Sequence, residues 1–336
     1  MRRPGAATAT AHANIALIKY WGKADHALIL PRTSSLSLTL DELYTTTTVR
    51  FLDAPGDDRV TLDGEPVTGR PLQRITALLD LVRERAGLRA PAEVTSLNTV
   101  PTAAGLASSA SGFAALAGAA AAASGLDLSP RELSRLARRG SGSASRSIFG
   151  GLAIWHAGTD DASSYAEPVH DGAEGGGFAD ELALVVLVLD AGRKTVSSRE
   201  AMRLSVETSP AYEPWVAGHA GQLAEALDAI AHRDLARLGE VAEANALGMH
   251  ATMRAATPSV DYLTEASHAA LRAVADARAS GFPAWATMDA GPNVKVLTSA
   301  DRADALERWL RQRLEPSVPQ LRTIVTHAGP GLQVTR

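Results

Sequence analysis

The segment that most restricts how this chain can fold runs from Pro101 to Ala123. It opens with Pro101-Thr102-Ala103-Ala104-Gly105-Leu106-Ala107-Ser108-Ser109-Ala110 and continues as an Ala-rich stretch with the highest helix propensity in the chain. A Gly/Ser loop at the start of a helix leaves free N–H groups and the positive end of the helix dipole aimed at one spot, which suits a phosphate. Gly105 lets backbone approach closely, and the hydroxyls of Ser108 and Ser109 can reach phosphate or a bound Mg²⁺. No Gly-Lys-Ser/Thr follows, so this is not a Walker loop. A Ser-capped core helix is the other reading, and the residues alone leave both open.

With 336 residues, 46% of them hydrophobic and 21% charged, the chain can bury a substantial core as one large domain or two. No fixed-period repeat is visible, which excludes solenoids and propellers. Tyr44 to Phe51 has the β-branched content of a strand, and Val60-Thr61-Leu62 before Asp63-Gly64 predicts a hairpin whose return strand Pro66 makes an edge. Ile75, Leu78, Leu79 and Val82 form the apolar stripe of a helix over Pro71 to Arg85. Ser129-Pro130-Arg131-Glu132 predicts another helix start, with Leu133, Leu136 and Ala137 as its buried face and Gly140 as its stop.

Asp171 to Gly177 reads as a flexible stretch, followed by an eight-residue apolar strand at Leu182 to Leu189. The second half reads as mostly helical, with amphipathic helices at Gln222 to Ala231 and Ala303 to Leu314. It closes on short strands near Ala284 to Met288 and Leu321 to Thr326. Mixed elements without a regular βαβ rhythm predict an α+β fold, divided just after the apolar strand into residues 1–190 and 191–336.

A formal net charge of −4 leaves no electrostatic footprint for nucleic acid or an anionic membrane. The apolar strand is far short of the roughly 20 residues of a membrane helix. Arg2 and Arg3 precede Pro4-Gly5 and a weakly apolar stretch, so no export signal is expected. Zero cysteines exclude disulfides, thiolate nucleophiles and cysteine-ligated zinc; together these features fit a cytoplasmic protein.

Four further segments can carry chemistry. Gly140-Ser141-Gly142-Ser143-Ala144-Ser145-Arg146-Ser147 places a guanidinium among small residues, where it can clamp a carboxylate or phosphate; a flexible turn with a surface charge is the alternative. Lys19-Tyr20-Trp21-Gly22-Lys23 sets two lysines four apart, which by default would be solvated. Arg193-Lys194-Thr195-Val196-Ser197-Ser198-Arg199 follows the apolar strand and suits a polyanion. Asp289, before Gly291-Pro292, is a turn cap or, if buried among cations, an ionised carboxylate able to position or deprotonate a hydroxyl. The nine histidines show no metal-binding spacing and read as surface or core residues.

Together these segments closely resemble the diphosphomevalonate decarboxylases of the GHMP kinase superfamily. The resemblance rests on Asn14 to Lys23, Ser34-Ser35-Leu36-Ser37-Leu38-Thr39-Leu40, Pro101 to Ala110, Gly140 to Arg146 with Phe149-Gly150-Gly151, and Met288 to Asn293. The Pro101 to Ala110 element is common to the superfamily, whereas Lys19 to Lys23 and Asp289 to Asn293 single out the decarboxylases.

The resemblance implies a two-domain GHMP kinase-like fold, an N-terminal ATP-binding α/β domain packed on a C-terminal α+β domain with the active site between them. It implies ATP- and Mg²⁺-dependent conversion of mevalonate 5-diphosphate to isopentenyl diphosphate, ADP, phosphate and CO₂, by a homodimer in the mevalonate pathway. It assigns Asp289 to the tertiary hydroxyl and afterwards to positive charge on its carbon, Lys19 to charge developing on the γ-phosphate, and Arg146 to the substrate carboxylate. Tyr20, Lys23, Ser141, Ser143, Ser198 and Arg199 fall on positions that bind the diphosphate and neighbouring groups, with Met202 lining the pocket. Pro101, Ala104, Gly105, Leu106, Ser108 and Ser109 would cradle the ATP phosphates, Ser109 being also a candidate Mg²⁺ contact.

Three residues depart from the family pattern: Ala24 stands where a basic residue is usual, Thr33 where many members have Asn, and Ser145 where Cys is common. Loss of a cation at position 24 leaves room for a monophosphate substrate. The alternatives are a mevalonate 5-phosphate decarboxylase, a mevalonate 3-kinase, and an inactive homologue acting as a binding subunit. Retention of Lys19, Arg146 and Asp289 argues against the last, and Arg193, Lys194 and Arg199 argue for the diphosphate.

Overall fold

The computed structural model describes residues 5–99, 108–170, 177–190, 192 and 196–335. The first half contains β1 (Ala6–Ile18), β2 (Lys23–Asp25), β3 (Leu30–Pro31), β4 (Ser35–Phe51), β5 (Arg59–Leu62), β6 (Glu65–Pro66), α1 (Gly69–Ala86) and β7 (Ala92–Asn98). There follow α2 (Ser108–Ala123), α3 (Pro130–Gly140), a 3₁₀ segment (Gly142–Ile148), β8 (Leu152–Trp155) and β9 (Ala166–Pro168). The remainder runs β10 (Leu182–Val188), α4 (Ser198–Thr208), α5 (Tyr212–Ala231), α6 (Leu235–Arg254), α7 (Glu265–Ala279), β11 (Trp285–Met288), β12 (Val294–Ser299), α8 (Ala303–Leu314), β13 (Arg322–His327) and β14 (Gln333–Thr335).

Two sheets carry the fold. The first has the order β14-β1-β4-β7-β5-β6, with β8 pairing β4 and β9; the second has the order β11-β12-β10-β13. β4 is long because its two ends serve different neighbours: Ser35 to Leu38 pair with β8, and Thr45 to Phe51 pair with β7. β1 follows β4 antiparallel, and its register shifts between His12 and Asn14 and between Ala16 and Ile18, the stretch that leads into Lys19. The predicted hairpin at Val60 to Pro66 is present, with β6 at the sheet edge, where the missing N–H of Pro66 is tolerated.

α2 is buried on nearly every side, Ala110, Phe113 to Ala121 and Ala123 all lying in the interior. A helix apolar all round must be covered all round, and its alanines allow β1, β4 and α3 to approach closely. α3 begins with the predicted capping box, Glu132 N–H donating to Ser129 Oγ at 3.3 Å and Ser129 N–H to Glu132 Oε2 at 2.9 Å.

β10, the strand on which the sequence reading ends the first half, pairs with β12 and β13 in the second sheet. Its unbroken hydrophobicity has a direct cause: Leu184 and Val186 pack with Ile15, Leu36 and Leu38 of the first sheet, while Val185 and Leu187 pack with α7 and α8. β14 returns to β1, so the chain end belongs to the first sheet. The stretch 171–176 lies outside the described residues. Among the described residues no helix is long and apolar enough to cross a membrane.

Candidate active site

A cleft of about 410 Å³ opens between the two halves. Lys19, Tyr20, Lys23, Ser108, Ser109, Ser141, Ser143, Arg146, Ser198, Arg199, Met202 and Asp289 all line it, although they are drawn from most of the chain. Pro101, Ala104, Gly105 and Leu106, together with Arg193 and Lys194, lie outside the described residues.

Asp289 stands just past the end of β11. Lys19 Nζ donates to its Oδ1 and Lys295 Nζ to its Oδ2, each at 3.0 Å. Both lysines are only 2% exposed and the aspartate 29%, so the carboxylate faces the cleft from between two buried ammonium groups. Burial alone would raise the Asp289 pKa, but the adjacent charges of Lys19 and Lys295 overcome it and hold the group well below the usual carboxylate range. For Lys19 the balance goes the other way: burial lowers its pKa to about 8 despite the attraction of Asp289.

The backbone on both sides of this pair is fixed. Lys19 Nζ also donates to Ala16 O at 2.7 Å, and Lys19 N–H donates to Asn245 Oδ1 at 2.8 Å. His250 Nε2 donates to Asp289 O at 3.1 Å, and burial lowers this imidazole's pKa to about 4, so it is neutral at physiological pH. Asn293 closes the turn after Asp289, its Oδ1 accepting from Leu189 N–H at 2.8 Å and from Asp190 N–H at 3.1 Å.

Arg146, in the 3₁₀ segment, is 2% exposed and has no carboxylate partner among the described residues. Its guanidinium is held by neutral acceptors: Nε and Nη2 donate to Asn14 Oδ1 at 3.2 and 3.1 Å, Nε to Ser37 Oγ at 2.9 Å, and Nη1 to Ser35 Oγ. Asn14 is itself fixed by donating to Ser147 Oγ at 2.8 Å and Ser143 O at 3.0 Å. Burial lowers the Arg146 pKa to about 10, which leaves it fully cationic at neutral pH. A buried cation without a counter-ion is costly, and this one lines the cleft, where an anionic ligand can supply the missing charge.

At the other end Lys23, Arg74 and Arg199 converge. Burial, with Arg199 and Arg74 adding repulsion, lowers the Lys23 pKa; burial followed by Arg199 lowers that of Arg74 to about 10. None of the three has an ion-pair partner among the described residues. Arg199 lies in the first turn of α4, where Ser197 caps the helix by accepting from Glu200 N–H at 3.2 Å. Two glycines make the close packing possible. Gly22 has φ +112°, and a Cβ there would fall 1.7 Å from Tyr212 Oη. A Cβ on Gly142 would lie 2.7 Å from Trp155 and 3.0 Å from Tyr20.

A second, mostly apolar pocket of about 190 Å³ adjoins the cleft and shares Arg74, Ser108 and Ser109 with it. Val60, Val67, Ile75, Val94, Phe113 and Leu116 line it. Ser109 Oγ lies 3.3 Å from Ser141 Oγ, so the start of α2 reaches the cleft. No group of three or more acidic or histidine side chains able to hold a metal exists among the described residues. Mg²⁺ commonly binds through substrate phosphates and water with few protein ligands, and hydroxyls such as Ser109 fit that pattern.

Several residues of the site were not read from the sequence. Arg74 stands off the apolar stripe of α1 and belongs to none of the segments singled out for chemistry. Lys295 carried a usable signal: a lysine inside the apolar strand Val294-Lys295-Val296-Leu297 can be buried only with a counter-charge, and Asp289 is six residues away. Asn14, Ser35 and Ser37 belonged to recognisable motifs, but their grip on Arg146 spans more than a hundred residues.

A Ser-rich helix start on one sheet, packed across a cation-lined cleft from a second α+β unit, defines the GHMP kinase-like class of fold. Residues 11–166 match the family described as diphosphomevalonate decarboxylase-like N-terminal domain, and residues 184–330 match the mevalonate 5-diphosphate decarboxylase C-terminal domain. The chain belongs to the diphosphomevalonate decarboxylase family. It is 40% identical to the diphosphomevalonate decarboxylase of Aspergillus fumigatus over 331 residues, covering 93% of this chain and 81% of that one. The crystal structure of mevalonate diphosphate decarboxylase from Staphylococcus aureus superposes with a TM-score of 0.93 at 44% identity, covering 99% of this chain and 98% of that one. A further structure, described as MDDEF in complex with MVAPP, AMPPCP and magnesium, superposes with a TM-score of 0.92 at 47% identity, covering 98% of this chain and 99% of that one.

Proposed function

We propose that the cleft catalyses the ATP-dependent decarboxylation of mevalonate 5-diphosphate to isopentenyl diphosphate, with release of ADP, phosphate and CO₂. The observation that carries the reading is the Asp289 carboxylate between Lys19 and Lys295, in one cleft with the guanidinium of Arg146, which has no carboxylate partner among the described residues.

The residues divide the work. Lys23, Arg74 and Arg199 form the pole that takes the diphosphate, aided by Tyr20, Ser141, Ser143 and Ser198, with Met202 as apolar wall. Arg146 holds the carboxylate that is lost as CO₂, its planar fork suiting a bidentate contact. Asp289 orients the tertiary hydroxyl. A carboxylate held this far below the ordinary range is a weak base, so it acts mainly by accepting a hydrogen bond and by stabilising positive charge on the reacting carbon. A loose phosphoryl-transfer transition state asks for that, with little early proton removal. Lys19 spends two of its three donors on Ala16 O and Asp289 Oδ1, which leaves one for the transferring phosphoryl group.

ATP fits the apolar pocket with its base and the start of α2, at Ser108 and Ser109, with its phosphates, Ser109 supplying a hydroxyl to Mg²⁺. Bound Mg²⁺ would neutralise phosphate charge. The homodimer and the cytoplasmic location are proposed on the resemblance alone. We place the end of the N-terminal unit before β10 rather than at residue 190, following the sheet pairing.

The test is to incubate the purified protein with ATP, Mg²⁺ and carboxyl-labelled mevalonate, its 5-phosphate or its 5-diphosphate, following CO₂ and ADP. Equal CO₂ and ADP from the diphosphate alone is the expected outcome. Turnover of the monophosphate instead, ADP without CO₂, or no product from any of the three would overturn the reading.

A further inference from the structure

We propose that Lys295 is the resident counter-ion of Asp289, a positioning residue that keeps the carboxylate ionised and aimed while Lys19 serves the transferring phosphoryl group. The proposal deepens the reading above and rests on it. Lys19 and Asp289 both line the cleft, whereas Lys295 does not, so Lys295 acts through Asp289 rather than on a ligand. Its ammonium holds Oδ2 at 3.0 Å from behind, leaving Oδ1 to Lys19 and the cleft. β12, which carries it, pairs on one side with β10, where Val186 is opposite, and on the other with β11, where Thr287 is opposite. That rigid three-strand setting fixes the lysine two residues along the sheet from where Asp289 begins the turn.

The need for a second lysine follows from charge and from donor geometry. Lys19 is at the end of β1, Arg146 in the 3₁₀ segment, His250 on α6 and Lys295 on β12; these are the charged or titratable groups facing Asp289, and none of them is acidic. If the ammonium of Lys19 turns toward an incoming phosphoryl group, Asp289 loses its front partner when it must remain anionic. Lys295, buried and with Asp289 as its hydrogen-bond acceptor, has no competing ligand and stays in place.

Lys295→Met and Lys295→Gln remove the charge at similar length, and two readouts separate positioning from general structure. Lys295→Met should lower kcat roughly 100-fold while the KM for ATP and for the diphosphate changes by less than about threefold. The acidic limb of the kcat–pH profile, which in the wild type lies below the working range because Asp289 stays ionised there, should move up by more than about one pH unit, because Asp289 loses a neighbouring positive charge. ¹³C-carboxyl NMR of Asp289 in labelled full-length protein reads the same titration without turnover, in Lys295→Gln should the Met variant fold poorly. A fall in kcat with the limb and the Asp289 titration unmoved, a rise in KM at constant kcat, or near-normal turnover would each refute the proposal. Wild-type protein that releases no CO₂ would instead refute the proposed reaction, and the NMR titration would still decide whether Lys295 governs Asp289.

Discussion

The two ends of the cleft are built on opposite electrostatic plans. At the Asp289 end the carboxylate is paired from within, Lys19 and Lys295 each holding one of its oxygens, and the remaining cation, Arg146, is held by the neutral acceptors Asn14, Ser35 and Ser37. At the far end Lys23, Arg74 and Arg199 crowd together without an acidic partner among the described residues, and burial, with the neighbouring cations adding to it, lowers the pKa of the first two. The first arrangement is pre-organised and needs no ligand to complete it. The second leaves positive charge that only an anion relieves. An end of the first kind suits chemistry, where groups must already be oriented when charge develops; an end of the second kind suits binding.

The contrast is broken most severely by Asp289→Asn, which keeps the shape and removes the charge. We expect kcat to fall about 1000-fold or more with diphosphate affinity within a few-fold of wild type, as read by steady-state kinetics and calorimetry. Arg146→Lys keeps a cation but loses the fork that Asn14, Ser35 and Ser37 hold, and should cost roughly 100-fold in kcat/KM. Lys23→Met should do the reverse of Asp289→Asn, weakening diphosphate binding about 10- to 100-fold while kcat at saturation changes little. That loss should shrink as salt is raised.

pH sharpens the same division. In the proposed reaction Lys19 serves as an ammonium, and burial lowers its pKa to about 8, so kcat should decline as pH rises through that value; Asp289 stays ionised throughout the working range. A rate that holds flat to pH 10 would show that Lys19 need not be protonated. The smallest effect on chemistry is expected from Gly22→Ala, whose Cβ would meet Tyr212 and whose φ of +112° disfavours any side chain. It should cost about 2–3 kcal/mol of stability, seen as a lowered Tm, with a normal pH profile in the folded fraction.

How far the sequence reveals this molecule depends on the range of the interaction. The α3 capping box, the Val60 to Pro66 hairpin and the α1 stripe are local patterns, and each is found where predicted. Lys19, Arg146 and Asp289 were legible as motif residues, because each stands in a short run of unusual composition. What holds them was not. The Asn14–Arg146 contact and the Lys19–Asp289 pair join residues 132 and 270 apart, a separation on which no periodicity reports. Ser35 to Leu40 was read as motif rather than as the first half of a long strand, since its serines and Thr39 are buried instead of alternating with solvent. The sheet that β10 joins was illegible for a similar reason: an apolar run announces burial on both faces without saying which strands it pairs with.

The most direct test of the division between the two ends is calorimetric titration of mevalonate 5-diphosphate into Asp289→Asn and Lys23→Met, with single-turnover CO₂ release measured on the same preparations. The account predicts near-normal affinity without turnover in the first and weakened affinity with near-normal single-turnover rate in the second. Equal losses of affinity and rate in both variants would contradict it.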